Sequence, residues 1–260
     1  MSPNHRPTSA VMRGLGFASL LLLLAASVSA ATKSLRIVSW NLHHGVGEDG
    51  KLDLERIAAV IRNATPDLVA LQEIDKQCGR SGKVDQPAEL AKLTGLIGVF
   101  GKAMDFDGGG YGQVILSRYP ILRSEVHPLP GNSEPRIAFE ATVSIEGSEI
   151  QFISVHLGLD SAERLAQAKT LTELAAQDAR RSILCGDFNA IPESPPLAAL
   201  AGIWKAVPKK APVLTCPAGK PQEEIDHVFA RGFPNPSPLI VIPETVASDH
   251  RPLLAEITLE

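Results

Sequence analysis

The sequence predicts an α/β domain of two packed β layers with helices outside. Three observations predict it. Short β-branched and apolar runs, among them residues 35–40, 67–71 and 182–185, read as buried strands. Between residues 121 and 156, strand and turn alternate with no room for a long helix. Two stretches, around Ile57 and from Ser161 to Ala176, carry apolar residues at helical spacing instead.

Residues 35–40 form the first strand, which ends on Asn41-Leu42-His43-His44-Gly45. After a Gly-rich turn, Asp53 caps a helix through Ile57, Val60 and Ile61, and Pro66 ends it. Residues 67–71 make a second buried strand that delivers Gln72 and Glu73. A polar loop from Lys76 to Gln86 follows, read as solvated, with Arg80, Asp85 and Gln86 as substrate contacts the alternative; then comes a helix from Pro87 to about Thr94. Two strands lie between Ile97 and Tyr119, separated by a loose segment from Asp105 to Gly110. Residues 136–143 and 150–156 flank Glu146-Gly147, a hairpin signal. The helix from Ser161 to Ala176 turns Leu165, Ala168, Leu171, Leu174 and Ala175 to one side.

Next comes Ser182-Ile183-Leu184-Cys185-Gly186-Asp187-Phe188-Asn189, a buried strand running into a glycine and two polar side chains. Asp187 and Asn189 are two apart, so an extended chain turns both to one side at the strand's carboxyl end. An Asx turn closing the strand is the structural alternative. Residues 191–220 are Pro-rich loop with one short helix. Residues 225–230, 239–242 and 253–257 are closing strands, with Ser248-Asp249-His250-Arg251-Pro252 just before the last. No repeat, long linker or low-complexity tract interrupts residues 31–260, so they are expected to form one domain.

The first 30 residues are read separately. Arg6 and Arg13 precede an apolar run from Leu15 to Val28, and Val28-Ser29-Ala30 supplies small residues at a cleavage point. That is the pattern of a secretory signal peptide; the run is short for a membrane anchor. Cleavage after Ala30 and export to a periplasmic or extracellular space are expected. The whole chain has a formal charge of −4, and loss of Arg6 and Arg13 leaves 23 basic against 29 acidic residues, a formal −6. Nucleic-acid binders draw affinity from basic stripes, and only short pairs such as Arg180-Arg181 occur here, so nucleic acid is not the favoured substrate. Cys78 and Cys216 either form a disulfide in an oxidising compartment or stay free, and Cys185 reads as a buried thiol.

Polar side chains collect at strand ends: Asn41, Glu73, Arg136, His156, Asp187 with Asn189, Asp226, and Asp249 with His250. Carboxylates and amides without clustered cysteines favour a hard cation, Mg²⁺ or alternatively Mn²⁺, over zinc. A His beside an Asp makes a proton-transfer pair, and an Arg neutralises phosphate charge. His227 faces opposite to Asp226 on its strand and reads as structural, while His43 and His44 are pocket candidates without a role.

Asn41 after Ser-Trp, Glu73 in Leu-Gln-Glu, His156 in Ser-Val-His-Leu, Gly186-Asp187-Phe188-Asn189, Ile225-Asp226-His227 and Ser248-Asp249-His250-Arg251-Pro252 stand in that order. Together they resemble the endonuclease/exonuclease/phosphatase superfamily over nearly the whole chain after residue 34. The resemblance implies a four-layer α/β sandwich, with two mostly antiparallel sheets face to face and helices outside. It implies that Glu73 is the principal metal ligand, with Asn41 and Asp249 completing the site. Asp187 would orient or deprotonate the attacking water, and Asn189 would contact phosphate. His250 would meet the scissile phosphate, oriented by Asp226. His156 would be a second active-site histidine, and Arg136 a further phosphate contact.

The expected function is an exported, Mg²⁺-dependent phosphodiesterase, a monomer without a membrane anchor, cleaving a P–O bond by in-line water attack. A secreted nuclease and a sphingomyelinase-like lipid phosphodiesterase are alternatives. From a different class comes a catalytically silent module that uses the same pocket for recognition.

Overall fold

The structure is a computed structural model that describes Met1, residues 33–234 and residues 236–259. The expected signal peptide, residues 1–30, thus lies outside the described residues except for Met1.

The first sheet takes β1 (Ser34–Asn41), β2 (Leu68–Lys76), β3 (Ile97–Phe106), β4 (Gly109–Ser117), β11 (Ile240–Val241) and β12 (Leu253–Thr258), in the order β11-β12-β1-β2-β4-β3. The second takes β5 (Ile121–Leu129), β6 (Arg136–Ile145), β7 (Ser148–His156), β8 (Ser182–Asp187), β9 (Lys205–Ala206) and β10 (Asp226–Arg231), in the order β5-β6-β7-β8-β10-β9. Among the described residues there are four α-helices: α1 (Leu54–Ala64), α2 (Gln86–Thr94), α3 (Ser161–Ala176) and α4 (Pro195–Leu200).

Three apolar clusters separate four layers. Leu35 and Ile37 of β1 join Phe139, Phe152 and Ile183 between the sheets. Val38 and Trp40, on the other face of the same strand, join Ile57 and Ile61 of α1 and Leu90 of α2. Val155 and Leu184 meet Ala168 and Leu171 of α3 and Leu197 and Leu200 of α4. Strands buried on both faces read as continuous apolar runs, which is why β1 and β8 show no polar alternation. Asp53 caps α1 by accepting from the Arg56 amide at 2.9 Å, as its position before the apolar period predicts. On α3 the apolar side is narrower than the spacing predicts. Ala168, Leu171 and Ala175 are buried, while Leu165 and Leu174 are only half-buried and Gln167 takes an inner place.

Each sheet has one parallel pair at its centre, β1 with β2 and β7 with β8; the other pairs are antiparallel. Parallel pairing brings the carboxyl ends of β1 and β2 together, and those of β7 and β8 likewise. Asp226 opens β10 opposite Asp187, and Leu253 opens β12 opposite Ser39. Every polar strand end picked out in the sequence is therefore delivered to the same edge of the sandwich.

One expectation changes and another holds in part. The loose segment from Asp105 to Gly110 is a tight hairpin, with Phe106 paired to Gly109. The loop between β2 and α2 is exposed at Gln77, Gly79, Arg80, Gly82 and Lys83, as expected, but it is anchored by the buried Cys78 and Ser81. Cys78, Cys185 and Cys216 are all free thiols, so the Cys78–Cys216 disulfide is not formed here. Among the described residues no helix is long and apolar enough to cross a membrane.

Gly186 explains how β8 fits between its neighbours. Its φ is +147°, and a Cβ there would stand 1.9 Å from the Val155 carbonyl oxygen of β7. Gly186→Ala should therefore lower stability by on the order of 3 kcal/mol, read as a lower urea midpoint. A loss well under 1 kcal/mol would show that β7 and β8 do not need this close approach.

Candidate active site

At the shared edge, Asn41 is the bridge between the sheets. Its Nδ2 donates to Glu73 Oε1 at 2.9 Å and to Asp187 Oδ2 at 3.0 Å, while its Oδ1 accepts from the His43 amide at 3.1 Å. Glu73 reaches this place because β2 is irregular there. The pairing with β4 shifts register between Leu71 and Ile74, and Glu73 sits at φ +55°, a left-handed conformation rare for non-glycine residues.

Asp187 is buried and ringed by polar groups. Its Oδ1 accepts from the Asn189 amide at 2.8 Å, and its Oδ2 lies 3.6 Å from His156 Nε2 and 3.8 Å from His250 Nε2. Burial, with the charge of Asp226 beside it, pushes its pKa up to about 7. On the far side, His250 Nδ1 lies 2.8 Å from Asp226 Oδ2, which also accepts from Thr215 Oγ1 at 2.5 Å. Burial disfavours the charged His250 ring, yet the facing Asp226 carboxylate outweighs it and, with Cys216 and Asp187, raises its pKa to about 12. His250 is thus an imidazolium between two carboxylates. His156 is the opposite case: burial first, then the charges of Arg136 and His250, hold it well below its ordinary 6.5 and neutral. The segment carrying His250 is fixed by Trp40 Nε1, which donates to the His250 carbonyl at 2.7 Å, and by Ser248 Oγ, which donates to the Asn41 carbonyl at 2.7 Å.

Asn189 has φ +47°, and its Nδ2 donates to the Leu157 carbonyl at 3.0 Å, tying the loops after β7 and β8 together. Arg136 is buried beside Tyr111 and His156; its Nη1 pairs with Glu134 at 3.2 Å, and its Nε has no partner. Asp249 is half-buried at the Glu73 side, where its charge acts on Glu73 and His44. His227 points away, with Nε2 2.8 Å from the Ala190 carbonyl, in the structural role its parity predicts.

Do these residues fit a divalent cation? Burial pushes Glu73 up in pKa; the Asn41 hydrogen bond opposes this and the nearby Asp249 charge adds to it. Glu73 and Asp249 are two carboxylates whose charges oppose each other, which a hard cation would relieve; Asn41 turns its Nδ2 to Glu73, and its Oδ1, which accepts from the His43 amide, keeps a second lone pair for a cation. They fit. Asp187, Asp226 and His250 also lie close, one ligand atom of each within 4.8 Å of the others. There the hydrogen bond from His250 Nδ1 satisfies Asp226 Oδ2, while Asp226 Oδ1 is buried without a partner among the described residues, so this group is a second place that suits a cation.

Sequence reasoning gave no role to Tyr111, and it left His44 as a pocket candidate only. Tyr111, opposite Asp75 on β4, is buried; burial and then the charge of Glu73 push its hydroxyl upward in pKa. His44 lies at φ +48° beside His43 at φ +44°, their rings 4.4 Å apart, and burial with the charge of Arg80 lowers its pKa to about 4. Arg80 stays exposed as the sequence suggests, but its guanidinium is anchored on the buried Asp75 carboxylate. A separate groove between α3 and the β5–β7 face holds Arg180 with Asp178, Glu140 and Glu149, charges that satisfy one another.

The model of the Endonuclease/Exonuclease/phosphatase family matches residues 38–250, from within β1 to His250. The chain belongs to this family. Its members are hydrolases of phosphoester bonds that depend on divalent metals. The YbhP protein of Escherichia coli (strain K12) is 26% identical over 245 residues, covering 87% of this chain and 97% of that one. An endonuclease/exonuclease/phosphatase from Beutenbergia cavernae superposes with a TM-score of 0.71 at 25% identity, covering 87% of this chain and 72% of its own. The mannosyl-6-phosphatase Bt3783 of Bacteroides thetaiotaomicron has a TM-score of 0.70 at 19% identity, over 86% and 100% of the two chains.

Proposed function

We propose that this family member is an exported, Mg²⁺-dependent phosphoesterase acting chiefly on phosphodiesters. The observation that carries the reading is the placement of Asp187. A buried carboxylate of raised pKa is held by Asn41 and the Asn189 amide and faces a neutral and a charged histidine. A carboxylate with a pKa near neutrality is suited to take a proton from an attacking water. As the water oxygen bonds to phosphorus, its proton passes to Asp187, and the P–O bond breaks with its electron pair on the leaving oxygen, which departs as an alkoxide and takes a proton from solvent.

His250 keeps its proton and lies against the charge that grows on the phosphate oxygens, with Asp226 fixing its ring. His156 and Asn189 position the phosphate, and Arg136 adds charge from the β6 side. Mg²⁺ held by Glu73, Asn41 and Asp249 would supply Lewis-acid polarisation of the phosphate and stabilise the leaving oxygen. Diester preference follows from charge. Arg136 and His250 each already carry a carboxylate, Glu134 and Asp226, so these side chains leave little free positive charge for the second negative charge of a phosphomonoester. A phosphomonoester is the second reading, favoured by the shared fold of the mannosyl-6-phosphatase. The acidic excess of the chain continues to disfavour a nuclease role.

The test is turnover by purified protein of bis(4-nitrophenyl) phosphate and 4-nitrophenyl phosphate in Mg²⁺, Mn²⁺ or EDTA. Metal-dependent hydrolysis with the diester ahead is expected. Hydrolysis unaffected by EDTA, or none of either ester, would remove this reading; a faster monoester would select the second.

A further inference from the structure

We propose that Arg80, Tyr111 and His44 form a leaving-group subsite for a polyhydroxylated alcohol, such as a sugar, cyclitol or glycerol, next to the phosphate site; this rests on the phosphoesterase reading. Arg80 is exposed, with 32% of its side chain open to solvent, but its guanidinium is held in one place. Its Nε and Nη2 donate to the two oxygens of Asp75 at 2.8 Å each, and the Asp75 side chain is 0% exposed. The guanidinium lies 4.5 Å from the Phe106 ring centre and 5.4 Å from that of Tyr111. A planar cation fixed by a carboxylate fork and two rings loses little further entropy on binding.

Position ties this cluster to the reaction. Asp75 is two residues beyond Glu73 and pairs with Tyr111 across the sheet. The Tyr111 hydroxyl lies within electrostatic reach of both Glu73 and Arg80, and His44 within reach of both Arg80 and Asp249. Arg80 thus connects to the two proposed metal carboxylates by two routes. Gln86 braces the arrangement, accepting from the Asp75 amide at 3.0 Å and donating to the His44 carbonyl at 2.6 Å. A substrate with its phosphorus near Glu73 and Asp187 would extend one group over this surface.

The chemistry selects hydroxyls. Arg80 has its charge offset by Asp75 but keeps its Nη1 donors, so it offers hydrogen bonds without the free charge a second phosphate would need. His44 Nδ1 is buried with no partner, and the Tyr111 hydroxyl both donates and accepts. A hydroxyl does both as well, and the aromatic rings suit the C–H faces of a polyol. An aryl or alkyl leaving group would leave these groups unpaired, so it binds more weakly than a polyol but is still turned over.

Calorimetry separates this inference from the catalytic reading, because it needs no turnover. Glucose 6-phosphate and sn-glycerol 3-phosphate would be titrated against phenyl phosphate and inorganic phosphate, in Mg²⁺, with wild type, Arg80→Ala and Tyr111→Phe. In wild type, at least one polyol phosphate should bind about 10- to 100-fold tighter than phenyl phosphate. Which one leads tells a ring polyol from glycerol. Arg80→Ala should erase most of that preference, and Tyr111→Phe, which keeps the ring, should reduce it. Equal affinities in wild type, or a preference retained in both variants with unchanged thermal midpoints, would overturn the subsite. Failure of the aryl diester assay alone would overturn only the phosphoesterase reading.

Discussion

Replacing Asp187 by Asn should lower kcat/KM on a phosphodiester by about 10²- to 10⁴-fold, with the protein still folded. The carboxylate has both oxygens engaged by donors, the Asn189 amide at Oδ1 and Asn41 Nδ2 at Oδ2. An amide can place oxygen at only one of these points, so one donor then meets an NH₂ group. The variant loses the proton acceptor and one tether together, while removing a buried charge softens the cost to stability. The pH profile sharpens the test. Burial and Asp226 push the Asp187 pKa up to about 7, so wild-type activity should fall toward acid pH; a bound cation would move that limb lower, and the variant's residual rate should lack it.

The sign for stability runs the other way. Asp187 keeps its proton in the native protein up to about 7, against an ordinary 3.8, so the native state binds the extra proton between those values. Its contribution to metal-free stability is fully present below about pH 4 and is lost as pH rises through 7. Unchanged kcat in a folded Asp187→Asn protein would remove this residue from the chemistry.

The sheet pattern and the strand-end residues were legible because both are local. Residues 182–187 form β8 with Asp187 at its end, but the chain is not extended through Asn189: its φ is +47° and its amide donates to Asp187 Oδ1, which is the alternative Asx turn. The parity argument for His227 worked for the same reason: neighbours on a strand face opposite ways. The anchoring of the Lys76–Gln86 segment was not legible. Its composition is that of a solvated loop, and what holds it is distant in sequence. Arg80 lies on Phe106 and Tyr111, and Gln86 bonds to His44, 42 residues away. No periodicity signals the register shift that turns Glu73, nor the reach of Cys216 to His250. The one cue available was an Arg and an Asp five apart just after a candidate metal ligand. The open choice at Cys78 and Cys216 had no local answer either, since it depends on where two loops end. Cys78 points inward, its Sγ 3.4 Å from the Gly110 carbonyl, which satisfies the thiol without a partner sulfur.

Glu73→Gln should separate function from stability in one variant. The amide keeps an oxygen to accept from Asn41 Nδ2, so the contact at 2.9 Å and the bulged conformation of β2 can survive. What disappears is a buried negative charge facing Asp249, and with it the strongest donor of the proposed metal set. Two results follow. Turnover should fall by about 10²-fold or more, because the cation that polarises the phosphate is weakly held. The rise in thermal midpoint that Mg²⁺ gives the wild type should largely vanish, since a ligand stabilises only what it binds.

The metal-free variant should nonetheless be more stable than metal-free wild type at pH 8. Burial raises the Glu73 pKa, so its contribution to stability is present below the ordinary 4.5 and is lost as pH rises through the native value. Gln carries no such titration, so the gap between the two proteins should widen from pH 5 to pH 8. The left-handed Glu73 backbone and the repulsion from Asp249 are then costs the fold bears for a cation-binding edge. A variant that keeps both its Mg²⁺-dependent midpoint and its turnover would move the metal away from Glu73. The carboxylates of Asp187 and Asp226 beside His250 would be the next place to look.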